Sequence, residues 1–208
     1  MRPLSSSARR PRRPGDVRHD PAAVDEAEAL DDHHLKTAGA SPLAVLCQDA
    51  LLLRARTDCP KCGRRTAAFA LMGLPEFETD SGAVMLRRLS ALPPEVDKAV
   101  RAFAGPLWRI DQSRAVKGSH WHSHCEHCGA RVGEVHLHGP SGPFRPRLYR
   151  DRVAIKAKRL TGPFVFDGAR AALNPAMVEW LAWFRQREDR QRAGDRPRRA
   201  PLRARRVA

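Results

Sequence analysis

Apolar positions along the chain alternate between two spacings, one helical and one extended. An Asp20-Pro21 start, followed by Val24, Ala27 and Leu30, predicts a helix closed by Gly39. Ser41-Pro42 repeats that start. Leu43, Leu46, Cys47, Ala50 and Leu51 then recur at helical spacing, predicting a second helix to about Leu52, with residues 53–58 extended behind it. Arg64 to Leu71 reads as a strand, Met72 to Gly82 as a loop and Ala83 to Leu89 as a short helix. Val96, Val100 and Phe103 share one face of a helix over Glu95 to Ala104, which Gly105-Pro106 ends.

Leu107 to Ile110 reads as short and extended, and Lys117 to His124 as the approach to a cysteine pair. Val132, Val135 and Leu137 alternate, predicting a strand over residues 131–138 with a bulge at Gly133. Residues 138–144 form a turn-rich loop. Arg147 to Lys158 has a strand-like pattern, and Gly162-Pro163 precedes a short apolar run, Phe164 to Phe166. Asn174-Pro175 opens a final helix, with Met177, Val178, Trp180, Leu181 and Phe184 on a wide apolar stripe to about Gln191.

A chain of 208 residues fits one domain with tails or two small ones. Its apolar fraction of 42% supports a modest core, and no stretch approaches the ~20 apolar residues of a membrane helix. The basic start has no apolar h-region behind it, which points to a cytoplasmic protein. The net charge of +15 is mostly terminal. Residues 1–18 carry six Arg against one Asp, and residues 192–208 seven Arg against one Asp, leaving +4 for everything between. These ends also carry Pro, Gly, Ser and Ala, a composition that buries too little surface to offset the entropy of ordering. The sequence therefore divides into a disordered basic arm at 1–19, a folded domain at 20–192 and a disordered basic tail at 193–208. Such tails can hold nucleic acid nonspecifically. The 32 Arg against 6 Lys also fit a compositional bias of the whole chain.

Cysteine spacing carries the sharpest signal. Cys47 stands alone and reads as a small buried hydrophobe. The other four form Cys59-Pro60-Lys61-Cys62-Gly63 and Cys125-Glu126-His127-Cys128-Gly129. Two residues between cysteines let a tight turn aim both sulfurs at one ion, about 2.3 Å away, and the following Gly can take the positive φ the turn demands. Four thiolates favour tetrahedral Zn2+. Each pair precedes a strand candidate, the plan of a zinc ribbon, here split by the 62 residues between the pairs. Separate redox pairs or an iron–sulfur cluster are the other readings of the spacing. His120, His122, His124 and His127 crowd the second pair, with His136 and His138 on one face of the strand expected after it. They read as surface or supporting groups, a replacement ligand and a second metal site being the alternatives.

Enzyme signatures are missing. The zinc-deaminase pattern needs Pro before its Cys pair, whereas Cys59 follows Asp58 and Cys125 follows His124. H-E-x-x-H, the P-loop and G-x-G-x-x-G are absent. A metal-dependent nuclease or hydrolase using the His120–His127 cluster stays open as a third reading. Nucleic-acid binding has more behind it. Arg64 and Arg65 flank the first pair, and Arg145, Arg147, Tyr149, Arg150, Arg152, Lys156, Lys158 and Arg159 form a basic run with one aromatic for base stacking.

The stretches CPKCGRRTAAFAL and Ser113 to Phe144, the latter with W-x-S-H-C-E-H-C-G and G-x-x-x-L-H, resemble a group of uncharacterised bacterial proteins with a split four-Cys zinc ribbon. The likeness covers about 60 of the 208 residues, including Trp121, Gly133, Leu137 and His138. An Asn expected between Trp121 and Cys125 is absent, with Ser123 nearby. The resemblance implies a zinc site and a fold, and it brings no activity. The resulting expectation is an α+β fold: a small split zinc-ribbon-like β unit with a helical insertion and a C-terminal helix, between disordered basic termini. Its function would be that of a zinc-binding structural or interaction protein whose partner is a nucleic acid or another protein, with no membrane and no small-molecule cofactor.

Overall fold

A computed structural model describes residues 43–75, 82–112, 118–145 and 154–194. The helix expected over 20–39, both basic termini and the basic run's Arg147, Tyr149, Arg150 and Arg152 lie outside the described residues. The fold is α+β. Four strands, β1 (Leu43–Asp58), β2 (Arg65–Leu74), β3 (Val84–Ala91) and β7 (Lys156–Ala172), close into a small antiparallel barrel in the order β1-β2-β3-β7. An insertion between β3 and β7 carries helix α1 (Pro94–Ala104), a 3-10 turn, and strands β4 (Trp108–Gln112), β5 (Ser119–His124) and β6 (Arg131–Val132). These three form a second antiparallel sheet in the order β4-β5-β6. Helix α2 (Glu134–His138) follows, and α3 (Pro175–Arg192) ends the described chain. Among the described residues no helix is long and apolar enough to cross a membrane.

The helix expected from Ser41 to Leu52 is instead the first two-thirds of β1. Between Cys47 and Asp49 the pairing of β1 with β7 slips by one residue. Before the slip the inward positions are odd, Val45 and Cys47. After it Ala50 and Leu52 join the same core cluster. The change of phase creates the three-residue step from Cys47 to Ala50 that mimics a helix. Beyond the slip β1 is covered on both faces, with Leu51, Leu53 and Ala55 in a second cluster, so its sequence is a continuous apolar run, not an alternation. The slip also explains Gly162-Pro163 inside β7. These two residues face Gln48 alone, so the missing Pro N–H falls at a bulge and costs no ladder bond.

Three further expectations are corrected. Residues 84–91, expected within a helix over 83–89, are β3, buried on both faces at its start. Of the strand expected over Arg147 to Lys158, residues 147–153 lie outside the described residues; β7 starts at Lys156 and runs on through Gly162-Pro163 and the apolar run Phe164 to Phe166. The strand expected over 131–138 stops after Val132. Gly133 ends it, and Leu137 donates to the Gly133 carbonyl at 3.1 Å, closing a helical turn that buries Leu137 beside Val132. The helices at 94–104 and 175–192 stand as expected. In the latter, the Asn174 side chain accepts from the Met177 amide at 3.1 Å.

The two core clusters place the helices on opposite sides of the barrel wall. Val96, Val100 and Ala104 of α1 join Phe69, Trp108, Trp121 and Phe166. Met177, Trp180 and Leu181 of α3 join Leu53, Met72, Leu137 and Phe144. Arg159 fastens α3 to the barrel through Glu188 at 2.6 Å and Asp49 at 2.7 Å. This cation of the basic run is thus structural.

Candidate metal centre

Both cysteine pairs sit at hairpin tips. The first fills the turn between β1 and β2, where Asp58 pairs with Arg65. The second fills the turn between β5 and β6, where His124 pairs with Arg131. The two turns have the same hydrogen bonds. Cys59 N–H donates to the Arg64 carbonyl at 2.9 Å, and Gly63 N–H to the Cys59 carbonyl at 2.8 Å. Cys125 N–H donates to the Ala130 carbonyl at 2.8 Å, and Gly129 N–H to the Cys125 carbonyl at 3.0 Å. Gly63 and Gly129 have φ of 69° and 66°, the left-handed region that glycine enters without strain.

The tips meet. Cys59 Sγ lies 3.7 Å from Cys128 Sγ, and Cys62 Sγ 3.7 Å from Cys125 Sγ. All four sulfurs fall within 4.8 Å of one another, and no other group of three or more candidate ligands among the described residues does so. Tetrahedral coordination with bonds of about 2.3 Å separates sulfurs by about 3.8 Å, so the spacing fits a Zn2+ ion. Each turn gives one buried sulfur, Cys59 or Cys125, and one exposed, Cys62 or Cys128. Burial pushes the Cys59 thiol up to about 12. Burial opposes charge on Cys125 too, but the His127 and Cys128 amides and the neighbouring thiols outweigh it and bring this thiol down to about 6. A cation taking all four thiolates must displace protons, so affinity falls with pH. With four sulfur ligands no position remains for an activated water.

The histidines clamp the two tips together. His127 donates from Nε2 to the Arg65 carbonyl at 2.9 Å, and His136 from Nε2 to the Asp58 carbonyl at 2.7 Å, with Thr57 Oγ1 3.0 Å away. Glu126 pairs with Arg56 at 2.6 Å, and its amide donates to Thr66 Oγ1 at 3.0 Å. Because α2 is a helix, His136 and His138 do not share a face. His138 packs near the Phe144 ring and lies 3.9 Å from Glu134.

His124 is buried with both ring nitrogens engaged, Nδ1 with the His122 carbonyl at 3.0 Å and Nε2 with Asp111 at 3.1 Å. His122 is buried, and burial, reinforced by the Arg131 charge, takes its imidazole down to about 4. Its Nε2 has no hydrogen-bond partner among the described residues, and it lines a void of about 10 Å³, room for about one water.

Ser123 joins the sheets. Only Leu71 to Gly73 of β2 pair with β3, so among the described residues the lower part of that edge of β2 has no strand partner. Ser123 Oγ accepts from the Phe69 amide at 2.9 Å and donates to the Phe69 carbonyl at 3.3 Å, replacing both bonds of a missing neighbour. Ser123→Ala is expected to cost about 1–3 kcal/mol by orphaning a buried amide. Urea unfolding checks it, and an unchanged midpoint contradicts it. Nothing in the spacing of the sequence singled out Ser123 or Thr66 as clamps.

The described basic residues named in the sequence analysis come from three separate segments of the chain. Arg64 and Arg65 are exposed at the first tip, Arg145 is exposed after α2, and Lys156 and Lys158 are exposed on β7. The chain matches no family model, no curated protein and no solved structure, so the likeness to split zinc-ribbon proteins rests on the two knuckles and their flanks.

Proposed function

We propose that this is a cytoplasmic zinc-ribbon-like interaction protein in which one Zn2+, held by Cys59, Cys62, Cys125 and Cys128, staples the insertion sheet onto the barrel. The observation that carries this reading is the meeting of two equivalent hairpin tips with cross-tip sulfurs at 3.7 Å. The metal is structural: it fixes where β5, β6 and α2 lie against β1 and β2. Arginines beside the first tip favour a nucleic acid as partner. The commitment of His124, His127 and His136 to structural contacts, and the small void beside His122, speak against a hydrolase built on the histidine run.

Elemental analysis of the untagged full-length protein is expected to give one zinc per chain, with no iron and no disulfide in the denatured protein. A stoichiometry near zero in protein purified without chelator, or a C-x-x-C disulfide, removes this reading.

A further inference from the structure

The strand register gathers cations that are distant in sequence. Past the slip, even-numbered residues of β1 share the face of the first core cluster, as do odd-numbered residues of β2 and even-numbered residues of β7. The upper part of that face is covered by α1, whose Phe103 meets Phe69 edge to face. The lower part, toward the first tip, carries Arg54 and Arg56 on β1, Arg65 on β2, and Lys156 and Lys158 on β7. Arg54 stands directly opposite Lys156.

Like charges directly opposite on a sheet are destabilising, and among the described residues little relieves them. Arg56 has Glu126, while Arg54 lies over the Phe69 ring at 5.8 Å. Among the described residues Arg65, Lys156 and Lys158 have no ion pair, and Asp58 is the one acid that the three strands themselves contribute to this part of the face, Glu126 being engaged with Arg56. Neighbouring strands stand about 4.8 Å apart, and same-face residues about 6.7 Å apart along a strand. The cations thus form a grid on a curved surface, not a single pocket. Arg56 and Arg65 also border an open groove of about 450 Å³ that Arg145 lines as well.

We propose that this face binds the phosphate backbone of a single-stranded nucleic acid. The inference rests on the proposed role as an interaction protein and gives that role its partner class. A grid of cations spread over three adjacent strands can follow one phosphate chain, and guanidiniums grip phosphates in bidentate fashion. Base identity is not read here, because Phe69, the aromatic nearest the grid, is buried beneath Arg54.

The test is fluorescence anisotropy on the full chain with a labelled single-stranded oligonucleotide, across a series of salt concentrations. The double variant Lys156→Glu, Lys158→Glu alters exposed side chains that have no ion pair among the described residues. It is expected to weaken binding at least tenfold and to flatten the salt dependence, each lost phosphate contact taking about 0.7 from the log–log slope. A charge-matched control, Arg190→Glu with Arg192→Glu at the end of α3, is expected to change affinity less than threefold. The wild type is expected to prefer the single strand to a duplex of the same sequence. Equal losses in both variants, no loss in the first, or equal or tighter binding to the duplex overturns the proposal. Zinc content is measured on every variant. One zinc per chain with no selective loss refutes the nucleic-acid face alone, and no zinc in a binding-competent wild type refutes the staple alone.

Discussion

Replacing Cys59 or Cys125 by serine is expected to remove zinc and soluble, folded protein together. These two sulfurs are the buried members of the cluster, and each lies at the base of its knuckle, where its own amide closes the hairpin. Binding energy of a structural zinc is folding energy, on the order of 10 kcal/mol or more in small zinc modules, which matches or exceeds the whole stability of most domains. The insertion sheet is expected to depend on it. Its β6 is two residues long and α2 five, too short to persist unless the second tip is held against the first. The contacts of His127, His136 and Glu126 then reinforce a geometry that the metal sets. Cys47→Ala is the control: that thiol is fully buried in the barrel, away from the cluster, and the variant is expected to keep one zinc per chain. Chelation of the wild type is expected to lower the melting temperature as the cysteine substitutions do. A monomeric, cooperatively unfolding protein carrying both Cys59→Ser and Cys125→Ser without zinc would sink the staple.

The metal centre was legible because its chemistry is local. Two residues between thiols and a glycine behind them specify a turn whatever surrounds it, and both turns form with φ values that glycine alone takes freely. The final helix was legible for the same reason, with its Asn-Pro start and apolar stripe. The barrel was not. Its strands are covered on both faces, so β1 and β2 lack the alternation that marks a half-buried strand. The slip opposite Gly162-Pro163 then placed Cys47 and Ala50 at a helical interval. The same slip explains why a Gly-Pro pair, normally a strand breaker, lies within the longest strand. Register is a property of pairs of strands, so neither the bulge nor the meeting of Arg54 with Lys156 can be read from either strand alone. The histidine run misled in a different way. Its crowding suggested chemistry, but the ring nitrogens of His124, His127 and His136 are spent on carbonyls and a carboxylate, all but the His122 carbonyl coming from other segments of the chain.

Glu134→Ala is expected to destabilise the fold by about 3–5 kcal/mol, the range for stranding one member of a buried ion pair. Glu134 opens α2 and accepts from Arg87 Nε at 2.6 Å, with both side chains largely shielded from water. Arg87 lies on β3 where pairing with β7 slips before Ala91, and the next residue, Arg88, takes a φ of 51° that only the surrounding fold can sustain. The pair therefore joins the irregular edge of the barrel to the element that follows the second knuckle. Burial by itself would push the Glu134 carboxyl up. His138 and Arg87 outweigh it and hold the carboxyl below its ordinary value of 4.5. A carboxyl depressed in the folded state contributes stability that is fully present above that ordinary value and is lost as pH falls through the folded one. Wild type and Glu134→Gln are thus expected to differ most at neutral pH and to converge only as pH falls through the depressed folded-state value of this carboxyl. Replacing the pair with Arg87→Met and Glu134→Leu together is expected to recover much of the loss, because apolar groups of similar volume leave no charge to desolvate. Urea midpoints for wild type and the three variants, followed from pH 7 down through the acid range, measure all of this. A gap between wild type and Glu134→Gln that stays constant across pH would mean that Glu134 acts through packing and helix initiation, not through its charge.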